Sequence, residues 1–261
     1  MMGAGTRDVG GPPTRAAADE ADLNAGITEL AGLVADSMDL AELLEEVAVF
    51  GARAVPGADG AGVALVGGDR SGGAVVQTAA TGPLAHQLTQ LQFADLHEGP
   101  CVTAVADAVT VRSGSLGGER RWPRFGPRAG RLGANSVLAL PLSVAGEVIG
   151  AIGVYGHGKN VFGDYALEFA ESFAKPAAVA VHNAHILAQA QALTTQLQAA
   201  LIARPIIDQA IGLLRGRTGS TAEESFAHLR AISQAENRKL SEVAQLVIDE
   251  AVRRARSRRN V

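Results

Sequence analysis

LIARPIIDQAIGLLRGRTGSTAEESFAHLRAISQAENRKLSEVAQLVIDE, residues 201–250, has the pattern of three short amphipathic helices around one small core. Ile206, Ile207, Ala210, Leu213 and Leu214 form an i, i+3/i+4, i+7 stripe on the first. Gly216 and Gly219 mark its exit, because glycine tolerates the left-handed geometry of a helix end. Ser220 stands three residues before Glu223, the spacing of a capping box. The second helix places Phe226, Leu229 and Ile232 on one face and closes at Asn237. Ser241 caps the third, which carries Val243, Leu246, Val247 and Val252.

Charge separates this stretch from the rest. From Arg204 onward there are eleven Lys/Arg against seven Asp/Glu, while the whole chain carries −4. Arg253, Arg254, Arg256, Arg258 and Arg259 crowd the end. Such a run suits phosphate neutralisation, and it equally suits a solvated helix C-terminus whose cations complement the dipole.

These residues resemble the ANTAR domain, the RNA-binding output module of bacterial transcription antiterminators. The resemblance rests on Arg204, Ile207, Ala210, Gly212, Leu213, Leu214, Ala222, Phe226, Leu229, Arg230, Asn237, Lys239, Leu240, Val243 and Ala244. It departs at Ile211, where the family has lysine, and at Arg215, where it has methionine. It implies a partner in RNA stem-loops, whose unstacked bases are open to readout. The implied contact residues are Arg204, Ala210, Gly212, Arg215, Arg230, Asn237, Arg238 and Lys239. Ala210 and Gly212 let RNA approach the backbone, and the basic groups hold phosphates or stack on bases. Ile211 motivates a second reading: a protein-interaction or dimerisation module whose RNA binding has been lost.

A chain of 261 residues allows one or two domains. Hydrophobic residues make up 47% but aromatics only 4%, so the core is mainly Ala, Val, Leu and Ile. A single cysteine, Cys101, excludes an internal disulfide and fits a reducing cytoplasm. No apolar run is expected to reach the ~18 residues that span a bilayer, so no membrane partner is expected. The Gly-, Pro- and charge-rich residues 1–24 are expected to be disordered.

Ahead of the basic stretch, Ile27–Ala54 has a helical pattern, re-capped near Asp39 and stopped by Pro56-Gly57. Gly62–Val66 and Ala74–Thr78 form a hairpin with turn glycines at Gly67-Gly68 and Gly72-Gly73. Pro83 opens a helix to about Phe93. A loop, a short helix and a strand at Val109–Val111 follow. Ser136–Val144 and Glu147–Tyr155 form a second hairpin about Ala145-Gly146. A long helix begins after Gly163. The order gives an α+β fold, an antiparallel sheet flanked by helices.

This order resembles the GAF domain, a small-molecule sensing module. The resemblance is carried by Gly99-Pro100-Cys101, Arg121-Trp122-Pro123-Arg124-Phe125, Leu140-Pro141-Leu142 and Ile149-Gly150-Ala151-Ile152-Gly153. Ile186, Leu193 and Ala200 with Ala190 and Leu197 make an a/d seam, the mark of a coiled coil and hence of a homodimer. Pro205 is expected to bend or restart that helix. The organisation is therefore a disordered segment (1–24), a GAF-like sensor (25–185), a coiled-coil linker (186–203), an ANTAR-like unit (204–257) and a tail (258–261).

Within the sensor, Cys101, Trp122 and Arg124 are the candidate ligand residues. A thiol at a helix N-terminus is activated, although a free cysteine is more often a small buried apolar residue. The arginines from Arg112 to Arg131 suit an anionic ligand, or else surround a helix that docks Trp122 and Phe125 into the sheet. His182 and His185 lie at i, i+3 but lack further ligands, so no metal or cofactor is expected. No Ser-His-Asp set, carboxylate pair or phosphate loop emerges, and no enzyme activity is expected. The function implied is a cytoplasmic transcription regulator of the antitermination type, answering a small-molecule or redox signal.

Overall fold

A computed structural model describes residues 14–33, 38–67 and 74–259. The chain divides into two compact units, residues 1–188 and 189–261. The first begins with α1 (Arg15–Leu33) and α2 (Leu40–Ala54). Residues 15–24, expected to lack order, are helical. Their alanines favour helix, Thr14 Oγ1 accepts the Ala17 amide, and Leu30 further along is buried in the core. Asp39 and Glu42 form the capping box that starts α2. Residues 1–13, Val34 and the hairpin glycines at 68, 72 and 73 lie outside the described residues.

A five-stranded antiparallel sheet follows, in the order β2-β1-β5-β4-β3. Its strands are β1 (Gly60–Val66), β2 (Val75–Ala80), β3 (Val111–Ser113), β4 (Ser136–Val144) and β5 (Glu147–Gly156). Ala145 and Gly146 both have positive φ, at 52° and 83°, as the tight β4–β5 turn requires. The central strands are apolar at nearly every position because both faces are covered. Val63, Leu65, Leu138, Leu140, Leu142, Ile152 and Val154 face α1, α2 and the start of α6 (Asp164–Thr218). The other face offers smaller residues, Ala64, Ala139 and Ala151, with Val137 and Tyr155. Upon it pack α3 (Gly82–Gln90), a π-helical turn (Leu91–Leu96), α4 (Pro100–Asp107) and α5 (Phe125–Arg131).

In the second unit, α6 runs through Pro205 to Thr218, so the proline does not restart the helix. Gly219, at φ 73°, ends it. The capping box lies one residue later than expected: Thr221 and Glu224, not Ser220 and Glu223, exchange bonds at the start of α7 (Ala222–Ala235). Ser220 instead joins a hydroxyl chain between Thr218 and the buried Ser225. Asn237 turns the chain with φ 49°. α8 (Leu240–Arg259) begins one residue before Ser241, with Lys239 O accepting the Glu242 and Val243 amides. Ala210, Leu229, Val243, Ala244 and Ile248 form this unit's buried core. Phe226 does not join them and is 41% exposed.

One expectation about α6 fails. It contains a stretch long and apolar enough, by length and composition, to cross a membrane. Residues 186–203 hold no charged side chain, and their apolarity comes largely from alanine, with four glutamines and two threonines interleaved. Ile186, Leu187, Leu193, Leu197, Leu201 and Ile202 all stand exposed along it, Leu201 at 72%.

Sensor interior and candidate nucleic-acid interface

Cys101 sits in the first turn of α4 but is only 2% exposed. Burial pushes its thiol up from the ordinary 9.0 to about 11, against the weaker opposing effect of bonds to Tyr155 and Gln92. The expected activation by the helix start is thus reversed by desolvation. The folded state holds this proton more tightly than the unfolded chain does. The thiol's contribution to stability is therefore complete below pH 9 and is lost as pH rises through about 11. In the native protein at pH 8, Cys101 should resist a disulfide reagent such as DTNB and react once urea unfolds the chain. Native reactivity at the unfolded rate would contradict this burial.

Around the thiol lies a knot of polar groups. The Gln92 side chain accepts the Cys101 amide at 2.8 Å and donates to the Tyr155 hydroxyl at 2.9 Å. Cys101 Sγ lies 3.9 Å from that hydroxyl. Burial raises the Tyr155 phenol well above its ordinary pKa, so it stays protonated. Glycines make room for the knot. A Cβ on Gly153 would stand 2.5 Å from Cys101 Sγ, and one on Gly62 would overlap the Thr89 hydroxyl. The sequence reading missed Thr89, Gln92 and Tyr155. Thr89 and Gln92 stand among other polar residues, His86, Gln87 and Gln90, so no sequence signal sets them apart.

Trp122 and Phe125 are buried, with Trp122 Nε1 donating to Thr103 Oγ1 of α4 at 2.9 Å. Glu98 holds the start of α5 by accepting the Arg124 and Phe125 amides at 2.7 and 2.9 Å. Arg124 is exposed and reaches back to the Leu96 carbonyl. Arg121 donates to Glu119 and to the Arg112 carbonyl and lies over the Trp122 ring at 4.5 Å. The Arg121 bond holds the Glu119 carboxyl down at about 2. Arg112 pairs with Asp164 at 2.8 Å. Two of the cluster's arginines thus have acidic partners in this unit, and the aromatic residues are anchors. Cys101 and Trp122 share one interior, whereas Arg124 lies at its surface. Among the described residues, no three His, Cys, Asp or Glu side chains gather as a metal site.

In the second unit, 100° per residue around α6 puts Arg204, Asp208, Gly212 and Arg215 on one side. The core residues Ile206, Ala210, Leu213 and Leu214 take the other. All four on the first side are exposed. Ala210 is fully buried, so the expected close approach at Ala210 does not survive. Gly212 remains: among the described residues, a Cβ there would meet nothing within 4 Å. Ile211 is half-buried against the bundle's own core. Arg230 is exposed on α7, one turn beyond Phe226. Arg238 is engaged by Glu236 and Glu242 at 3.7 and 3.6 Å. Asn237 and Lys239 are exposed at the α7–α8 turn that their backbones build. Asp208, not singled out from the sequence, interrupts the basic face.

Residues 37–182 match the GAF domain family, and residues 195–248 match the ANTAR domain family. No curated protein matches the chain. Among solved structures, the chain is similar to free methionine-R-sulfoxide reductase from Neisseria meningitidis, in complex with its substrate. The identity is 20%, over 63% of this chain and 91% of that one, with a TM-score of 0.49. It is also similar to the GAF domain of a phosphoenolpyruvate-protein phosphotransferase from Coxiella burnetii. There the identity is 18%, over 67% and 98% of the two chains, with a TM-score of 0.48.

Proposed function

Because the chain belongs to the GAF domain family and carries an ANTAR domain after it, we propose that it is a signal-responsive regulator that binds RNA stem-loops. It acts in the cytoplasm, altering terminator formation in nascent or messenger RNA. The architecture is regulatory, not catalytic. Residues 25–185 sense the signal, 186–203 join a second copy through the exposed apolar row of α6, and 204–257 contact RNA. Burial of the one thiol favours a small molecule over a redox signal.

The observation that carries the RNA reading is Gly212. A glycine inside a helix costs roughly 0.5–1 kcal/mol relative to alanine. Among the described residues nothing crowds Gly212, so the fold around it gives no reason for a glycine. It lies opposite the core between Arg204 and Arg215, where a nucleic-acid backbone can come close. Gly212→Ala should therefore raise the bundle's melting temperature and weaken RNA binding. Stabilisation with unchanged affinity, measured by fluorescence anisotropy on a stem-loop RNA, would contradict this face.

Arg204→Ala and Arg230→Ala should each weaken binding while leaving the bundle folded. Each should reduce the slope of log affinity against log salt by about 0.7–1, the loss of one phosphate contact. Ile211 packs half-buried against its own core, which speaks against its serving as the contact residue of a protein partner.

A further inference from the structure

The sensor unit carries a groove at the free edge of its sheet. The groove measures about 330 Å³ and is lined by Val75 and Thr78 of β2, by His86, Thr89 and Gln90 of α3, and by Phe93 and Ala94 of the π-helical turn. That volume is at the lower end of small-molecule sites. His86, Thr89, Gln90 and Phe93 follow i, i+3, i+4, i+7 and so form one stripe of the continuous α3–π helix.

Resting on the sensor reading above, the geometry points to this groove as the binding site for a small uncharged heteroaromatic molecule. Among the described residues, no Lys, Arg, Asp or Glu lines it, so an ionised ligand would lose its hydration without a counter-charge. Phe93 supplies a ring to pack against. Thr78, Gln90 and His86 supply the few polar groups that orient a ring nitrogen or amide.

The backbone at this place is unusual. Leu91–Leu96 is π-helical, a rare form that recurs at functional sites. It leaves through His97, whose φ is 51°. Phe93 lines the groove on one side of this turn, and on the other Gln92 ties the turn to Tyr155 of β5 and to the start of α4. Thr89, only 3% exposed, is the groove floor and fills the space above Gly62 of β1. A molecule seated against Thr89 and Phe93 thus presses on the segment that the polar knot fixes to the sheet. Reversion of the π turn to α would rotate the residues after it and shift Phe93. Occupancy therefore biases the knot, which is how the sensor would register its signal.

The test uses the full chain and two probes of one shape, indole-3-carboxamide and indole-3-carboxylate. Binding is followed by saturation-transfer NMR and calorimetry without RNA. The amide should bind saturably with a Kd of about 1 mM or below, and the carboxylate at least about tenfold more weakly. Ala94→Trp, which places an indole in the groove, and Thr78→Lys, which places a charge on its rim, should each weaken the amide at least about tenfold. Both sites are solvent-exposed, and circular dichroism checks folding.

Absence of saturable amide binding would overturn the assignment. So would equal binding of the carboxylate, or wild-type binding by both folded variants. A Thr78→Lys change in the mass of the assembly with no probe binding would mean that another copy covers this edge, which also overturns it. RNA affinity of the same samples is measured separately. Lost probe binding with intact RNA binding removes only this inference, and the reverse removes only the RNA reading.

Discussion

Leu229→Ala loses the C-terminal bundle, and RNA binding with it, while the GAF unit stays folded. Leu229 is fully buried among Ala210, Val243, Ala244 and Ile248, the five buried residues of that core. Two of its four partners are alanines, which have no further carbon to move into the space left behind. Removing a leucine side chain from such a site costs about 2–5 kcal/mol. A core of this size rarely supplies more than about 3–5 kcal/mol in total. The substitution therefore consumes most of the unit's stability. A urea titration followed by circular dichroism should show early loss of helix and a later transition unchanged from wild type. Stem-loop binding should fall to background. A folded bundle with wild-type affinity would mean that Leu229 does not hold this unit together.

The second large effect is expected in the sensor. Gln92→Leu keeps nearly the same volume but removes three side-chain bonds, to the Leu88 carbonyl, the Tyr155 hydroxyl and the Cys101 amide, leaving that amide without the carbonyl it donates to. It also takes a donor from the Tyr155 hydroxyl. Each buried polar group left without its partner costs about 1–3 kcal/mol. A loss of about 2–5 kcal/mol is expected, read from the urea midpoint of the Trp122 fluorescence transition. The π-helical turn should loosen as well, with faster amide exchange across Leu91–Leu96. A change below about 1 kcal/mol would show that the knot contributes little to the fold.

Much of the architecture was legible in the sequence because it rests on period and punctuation. The β4–β5 hairpin announced itself through two apolar arms about Ala145-Gly146, and the start of α2 through Asp39. The three C-terminal helices followed from the stripe at Ile206, Ala210, Leu213 and from Gly219. What failed depended on three-dimensional neighbours. Two adjacent hydroxyls, Ser220 and Thr221, both have an acid three residues on, so spacing alone could not choose the cap. Residues 15–24 look like a linker in composition, although their alanines form the start of a helix that buries Leu30. The apolarity of α6 is spread over alanines interrupted by glutamine and threonine, so no unbroken apolar run marks it in the sequence.

The site was less legible than the fold. A helix-start cysteine is activated only where solvent or a cation reaches it, and its burial is set by Tyr155, fifty-four positions away. Ala210 and Gly212 are both small, and they were read alike. Helical geometry sends one to the core and the other to the solvent. Phe226 passes for core by spacing, yet it flanks Leu229 at the surface beside Arg230. Gln92 and Thr89 carried no motif, since a buried polar residue on an amphipathic helix is visible only once its partners are in place.

The central claim is that the full chain reads RNA stem-loops through the second unit. The most direct measurement is fluorescence anisotropy with a two-hairpin RNA and with a loop-free duplex of equal length, each titrated from about 50 to 200 mM salt. The account predicts that the two-hairpin RNA binds more tightly than the duplex at every salt concentration, with affinity falling as salt rises. It also predicts that Gly212→Ala and Arg204→Ala lower the stem-loop affinity specifically. No binding at the lowest salt, or equal binding of stem-loop and duplex unaffected by either substitution, would contradict it.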